Sequence, residues 1–115
     1  MRHLQGTADM LYQGIRDLPI VSPHGHCDPA WFARNTAFSN PADLLVKPDH
    51  YVFRMLYSQG IPLENLGVGV AGQEADPRKV FHIFAAHWHS FLGTPSWVWI
   101  EYVMRETIGI KAELS

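Results

Sequence analysis

Apolar positions recur at helical spacing along most of the chain. Those that follow Thr7 predict a short helix over about 7–17, with Thr7 as its N-cap. A longer amphipathic stretch predicts a helix over about 77–91, and another is predicted over 95–108. The apolar stripe of the 77–91 helix comprises Val80, Phe81, Phe84, Trp88 and Phe91.

Four pairs of residues mark helix starts by placing a good N-cap before a proline at the first helical position. These pairs are Asp28-Pro29, Asn40-Pro41, Asp76-Pro77 and Thr94-Pro95. Asp49 can cap a further helix that runs through Leu56 and ends at Gln59-Gly60. Residues 63–75 are rich in glycine and predict a loop around one weak turn at 63–66.

One apolar run, Leu18-Pro19-Ile20-Val21, is too short for a helix and predicts a buried strand over about 19–23. His24 and His26 follow it, separated by Gly25. Side chains of an extended backbone repeat every two residues, so both imidazoles are expected on one side. Two such imidazoles are two ligands of a metal site.

The His-x-His spacing is a weak signal by itself, because the chain holds seven histidines. From the triplet alone, two polar side chains at a strand end remain the simpler interpretation. His87-Trp88-His89 provides a control. It falls in a helical pattern, where residues two apart point to nearly opposite sides, so it is not expected to chelate one ion.

A lone strand leaves its backbone hydrogen-bonding groups unpaired. A strand that ends in paired histidines belongs at the carboxyl edge of a parallel sheet or barrel, and a closed barrel needs about 200 residues or more. The chain has 115 residues. We therefore expect a single partial domain, the N-terminal piece of a longer protein, with a lead-in helix and first barrel strand over 1–27.

Composition excludes several classes of function. The net charge of −2 and the lack of a basic stripe argue against a nucleic-acid partner. No apolar run reaches the roughly 18 residues that span a bilayer, and the first residues lack the apolar core of a signal peptide. The single Cys27 fits a reducing compartment, so a cytoplasmic location is expected. A small residue beside the site is the simpler interpretation of Cys27.

Several blocks of the chain, from about Leu18 to Ile110, resemble the N-terminal region of uronate isomerases (glucuronate isomerases) of the amidohydrolase superfamily. The narrowest signal is Asp-His-Tyr-x-x-Arg, since His-x-His is shared by many amidohydrolases. In order, the blocks are His24-Gly25-His26-Cys27-Asp28-Pro29, Asn40-Pro41-Ala42-Asp43-Leu44-Leu45, Asp49-His50-Tyr51-Val52-Phe53-Arg54, Ser58-Gln59-Gly60 and Gly93-Thr94-Pro95.

The resemblance implies an α/β fold class, a (β/α)8 TIM barrel, with residues 28–110 as a mostly α-helical insertion that caps the barrel mouth. It implies an aldose–ketose isomerase of hexuronate catabolism with a divalent metal, usually zinc. That enzyme interconverts D-glucuronate with D-fructuronate and D-galacturonate with D-tagaturonate. The partner of such an enzyme is a small-molecule hexuronate, and the resemblance is compatible with assembly into a homo-oligomer.

Carried over by position, His24 and His26 are the metal ligands and Tyr51 is the candidate for proton transfer at C2 of the substrate. A phenol needs a nearby cation to act as a base near neutrality. Without the resemblance, Tyr51 is more simply a half-buried aromatic side chain.

Asp49, His50 and Arg54 share the block of Tyr51 and are expected on the substrate side of the site. The alternative role of His50 or Arg54 is to stabilise the helix on which it lies.

Two other interpretations stay open at this point. The same histidines could activate water in another metal-dependent amidohydrolase, a hydrolase or deaminase. Alternatively, the chain is a non-enzymatic helical interaction module. We expect the isolated chain to lack isomerase activity and to bind zinc weakly, because catalytic zinc usually has three protein ligands. Poor solubility or self-association is also expected, since helices such as 77–91 would lose apolar partners.

Overall fold

The computed structural model describes residues 2–22, 24–69, 72 and 74–110, with side chains from residue 5 onward. Within these residues the chain is helical and forms no β-strand. The α-helices are α1 (Arg2–Gln13), α2 (Pro29–Arg34), α3 (Pro41–Leu45), α4 (His50–Ser58), α5 (Pro77–Ala86) and α6 (Pro95–Tyr102). The 3-10 turns Leu63–Leu66 and Trp88–Phe91 lie between described helices, and a π-helical turn, Val103–Thr107, extends α6.

The four N-cap–proline pairs all begin helices, as predicted. In each, the cap side chain accepts a hydrogen bond from a backbone N–H of the first turn, at 2.9 Å in three cases and 3.3 Å in the fourth. Asp49 caps α4 in the same way, accepting the N–H of Tyr51 at 2.9 Å. These starts are predictable because a cap acts within one turn of chain.

Two helix boundaries differ from the prediction. Helix α1 lies earlier than 7–17, so Thr7 is inside the helix and is not its cap. The residues before Thr7 include good helix formers, and Gly14 follows the last helical residue. The 77–91 helix divides at His87 into α5 and the 3-10 turn Trp88–Phe91.

The predicted strand over about 19–23 is not confirmed, because its described residues, 19–22, form no strand. Residues 19–22 have no regular secondary structure, and Pro23 lies outside the described residues. Ile20 and Val21 are 94% and 89% exposed, although the prediction made them buried. A strand is stable only where a neighbouring strand takes up its N–H and C=O groups, and no described segment pairs with this one. The mostly helical part of the predicted fold class is confirmed.

The hydrophobic core is built from residues 42–104, from α3 to the π-helical turn, and α3 packs against α5. The predicted stripe of α5 and the following turn forms much of it, with Phe81 only partly buried. The described side chains contain no buried polar residue. The buried apolar residues are Ala42, Leu45, Val46, Val52, Leu56, Leu66, Val80, Phe84, Trp88, Phe91, Ile100 and Met104.

The chain is extended for its length. Its radius of gyration is 16.8 Å and its longest dimension is 49 Å. A compact domain of this length has a radius of gyration of about 13 Å. None of the helices in the described part of the chain is long and apolar enough to span a bilayer.

Candidate metal and substrate site

His24 and His26 lie in the irregular loop between α1 and α2. Their Nε2 atoms are 3.1 Å apart, and their rings stand at 87° to each other. Nitrogens that each lie 2.0–2.1 Å from one tetrahedral ion are about 3.3 Å apart. The two rings therefore converge as the triplet predicts, without the extended strand that the prediction assumed. Their role as metal ligands stays a prediction.

The first turn of α4 lies against the His26 ring. The Tyr51 ring is stacked on it, with centroids 4.8 Å apart and planes 27° apart. The His50 ring lies 4.5 Å from the His26 ring and 4.6 Å from the Tyr51 ring. The structure thus brings together three side chains that the sequence placed in two separate blocks. Tyr51 keeps 58% of its surface exposed, so a substrate can reach it.

A group of three side chains could hold a metal ion. One donor atom from each of His26, Asp49 and His50 lies within 4.8 Å of the other two, and all three side chains are partly buried. The sequence placed Asp49 and His50 on the substrate side and did not indicate them as possible metal donors. The available signal was an aspartate and a histidine side by side at a helix start, but only the fold puts them beside His26.

Next to this group is a cavity of about 330 Å³ whose walls are mostly apolar. His26 and Asp49 line it, and so do two tryptophans, Trp31 and Trp99, that the sequence did not indicate. No local spacing relates these tryptophans, because they come from α2 and α6. The other lining residues are Cys27, whose thiol is free, Leu44 and Pro48.

Arg54 is exposed on α4, one turn beyond His50 and Tyr51. Residues three and four apart lie on the same side of a helix, so its guanidinium is on the side of the candidate site. Among the described residues, it makes no hydrogen bond or ion pair. Its charge is therefore available to an anionic ligand, and its role in substrate binding stays a prediction.

The geometry of the control triplet, His87-Trp88-His89, differs from the prediction. The rings of His87 and His89 lie 6.3 Å apart and nearly parallel, not on opposite sides, because α5 ends at Ala86 and a tighter turn follows. Nδ1 of His87 donates a hydrogen bond to the carbonyl oxygen of Ile83 at 2.8 Å. Within the described part of the chain, neither histidine belongs to a group of three metal donors.

The chain is similar in structure and in sequence to known proteins. A solved crystal structure of glucuronate isomerase from Caulobacter crescentus superposes with a TM-score of 0.80 at 50% sequence identity, covering 94% of this chain and 23% of that one. A uronate isomerase of Sphingopyxis alaskensis is 54% identical over 108 residues. Another, of Mesorhizobium japonicum, is 50% identical over 115 residues.

These relatives are longer proteins. The Sphingopyxis alignment covers 94% of this chain and 23% of the relative, and the Mesorhizobium alignment covers 97% and 24%. The chain thus spans about a quarter of the length of the curated relatives it matches. A family model described as "Glucuronate isomerase" matches residues 3–115, nearly the whole chain. The resemblance stated from its motifs is confirmed: the chain belongs to the glucuronate isomerase family.

Proposed function

We propose that this chain supplies the first metal ligands and the substrate-facing helix of a uronate isomerase. The enzyme would interconvert D-glucuronate with D-fructuronate and D-galacturonate with D-tagaturonate by metal-assisted proton transfer. The observation that carries the proposal is the convergence of the His24 and His26 rings, with Nε2 atoms 3.1 Å apart, beside Tyr51. Membership of the glucuronate isomerase family supports it.

The reaction moves a proton between adjacent carbons of the hexuronate through an enediol. A divalent metal, when bound, polarises an oxygen of the substrate. His24 and His26 would hold it, and zinc suits imidazole donors. Tyr51 would move the proton at C2. Its ring is fixed by stacking on His26, so its hydroxyl has a defined position relative to the metal ligands.

The carboxylate of a hexuronate needs a cationic partner. Arg54 has an exposed guanidinium with no partner among the described residues, on the same side of α4 as Tyr51. Arginine binds carboxylates in a bidentate manner, which also orients them. His50 and Asp49, at the start of the same helix, would contact the hydroxyl groups of the sugar.

We also propose the wider setting of the chain. Residues 19–23 would form the first strand of a (β/α)8 barrel in the amidohydrolase superfamily, and residues 28–110 would cap its mouth. The exposure of Ile20 and Val21 supports this, because such β-branched residues are typical of strands buried on both faces. The enzyme would act in the cytoplasm on a small-molecule hexuronate, and it could assemble as a homo-oligomer.

A chimera tests the proposal directly. This chain would replace the matched 23% of the Caulobacter crescentus glucuronate isomerase, and isomerisation of D-glucuronate would be assayed. We expect turnover by the chimera and a loss of about 100-fold or more on Tyr51→Phe. Tyr57→Phe is the matched control, because Tyr57 lies on the same helix with nearly equal exposure, 59% against 58%.

Two results would contradict the proposal. One is a folded chimera that hydrolyses esters or deaminates amines but leaves D-glucuronate unchanged, which would favour the hydrolase interpretation. The other is an equal rate for Tyr51→Phe and Tyr57→Phe, which would remove Tyr51 from the chemistry.

A further inference from the structure

A cleft lies between the start of α3 and one side of α5. Its volume is about 390 Å³, and small-molecule sites in proteins occupy about 300–1,000 Å³. Asn40 and Pro41 line it from the start of α3, and the other lining residues belong to α5. These two helices pack against each other, so packed elements hold the walls. The cleft shares no lining residue with the candidate metal and substrate site.

The walls of this cleft are mostly apolar. Phe81 and Ala85 are four residues apart on α5 and lie on the same side of the helix. Pro41 and Pro77 add to the apolar lining. The Phe81 ring is partly buried against the core, which holds it in place. Such walls favour a ligand with an apolar body, because they offer a hydroxylated sugar few hydrogen-bond partners.

The polar groups that remain free in the cleft are basic. Arg78 and His82 are exposed, line the cleft and lie four residues apart on the same side of α5. Among the described residues, neither side chain makes a hydrogen bond or an ion pair. The third polar lining residue, Asn40, is engaged: its Oδ1 accepts the N–H of Asp43 at 2.9 Å, and its Nδ2 donates to the Asp43 carboxylate at 2.6 Å. The polar end of a ligand would therefore meet basic partners.

The electrostatic field at this end of α5 is positive. A helix N-terminus carries a partial positive charge, and the first turn of α5 adds Arg78 and Lys79 without an acidic residue. The sequence contains no aspartate or glutamate over 77–100. The carboxylate of the N-cap Asp76 offsets part of this charge, but its Oδ1 is bonded to the N–H of Arg78 at 2.9 Å. An anionic group in the cleft would therefore be stabilised by its surroundings.

We propose that this cleft binds a small apolar carboxylate. The apolar body would lie against Phe81 and Ala85, and the carboxylate would bind Arg78, whose guanidinium matches its two oxygens. His82 would donate a further hydrogen bond. A cavity of about 150 Å³ holds one benzene ring, so a cleft of about 390 Å³ has room for two fused rings. The inference does not depend on the proposed function, because the cleft and the candidate site share no residue.

The test follows the backbone amide NMR shifts of the 115-residue chain during titration with 2-naphthoate. We expect shifts centred on Arg78, His82 and Ala85, with a dissociation constant of about 1 mM, the scale for a ligand of this size. Arg78→Gln removes the charge and should weaken binding by about 10-fold. Lys79→Gln is the matched control and should leave binding unchanged, because Lys79 is an exposed cation of the same helical turn that does not line the cleft.

Two further ligands separate the contributions of charge and apolar contact. The neutral alcohol 2-naphthylmethanol should bind about 10-fold more weakly than the carboxylate, and D-glucuronate should not shift the amides of the cleft. The inference is overturned if 2-naphthoate shifts none of these amides, or if the alcohol or D-glucuronate binds there equally well. It is also overturned if Lys79→Gln weakens binding as much as Arg78→Gln, which would indicate a diffuse basic surface. The titration includes no turnover, so its failure and that of the chimera are separate results.

Discussion

Two regions of the chain begin their helices with the same capping residues but differ in how their side chains pack. We call residues 5–38 the open region and residues 40–104 the packed region. Both regions contain capped helices, and α2 and α5 begin with the same Asp-Pro pair. No described side chain within 5–38 is buried, whereas every buried apolar side chain lies within 42–104. Capping thus suffices to start a helix, but a core requires apolar faces from several elements to meet.

The candidate site lies where these two regions meet. His24 and His26 belong to the open region, in the irregular loop between α1 and α2. Asp49 caps α4, and His50 and Tyr51 form its first turn; the helix is fixed by its buried side chains, Val52 and Leu56. The packed region can therefore hold these candidate site residues in position, and the open region supplies the His26 ring, which rests against His50 and Tyr51.

The largest contrast between the regions is expected from truncating one phenylalanine in each. Phe84 is fully buried against Phe81, Trp88 and Phe91, so Phe84→Ala should lower the free energy of unfolding by about 3–5 kcal/mol. Phe32 is 78% exposed, and Phe32→Ala should change the free energy of unfolding by less than about 0.5 kcal/mol. Urea unfolding followed by circular dichroism measures both. Equal losses would mean that the regions do not differ in packing.

A smaller contrast is expected at glycines. A Cβ on Gly72 would lie 2.6 Å from the carbonyl carbon of Gly67 and 2.9 Å from its Cα, and backbone cannot easily move aside. Gly72→Ala should therefore destabilise the chain by about 1–3 kcal/mol. A Cβ on Gly25 would meet nothing within 4 Å, so Gly25→Ala is the control from the open region. A neutral Gly72→Ala, measured by the same unfolding experiment, would contradict the close packing of this loop.

The smallest contrast is expected at two aspartate N-caps, one in each region. Asp28 and Asp76 each accept a first-turn N–H at 2.9 Å. Asp76→Ala should cost about 1 kcal/mol, because α5 carries core residues and its start is coupled to global unfolding. Asp28→Ala should leave global unfolding nearly unchanged, since α2 buries no residue and can fray alone. Amide exchange at Ala30 and Arg78 would show the local effect at each cap. Equal global losses would indicate that α2 belongs to the cooperative unit.

The sequence determined the elements whose signals are local. All five capped helix starts, the end of α4 near Gly60 and most of the buried stripe of α5 follow from residues within a few positions of one another. The convergence of His24 and His26 is equally local, since one glycine separates them. The family could be identified from the sequence for the same reason, because the motifs of the family are short blocks of residues.

Only the tertiary structure decided the rest. The apolar run at 18–21 has strand composition, yet a strand depends on a partner that no local pattern supplies, and the segment stays irregular. The placement of Asp49 and His50 beside His26, and of Trp31 and Trp99 around one cavity, depends on contacts between residues far apart in the chain. Such contacts are fixed by how the helices pack, which spacing along the sequence does not encode.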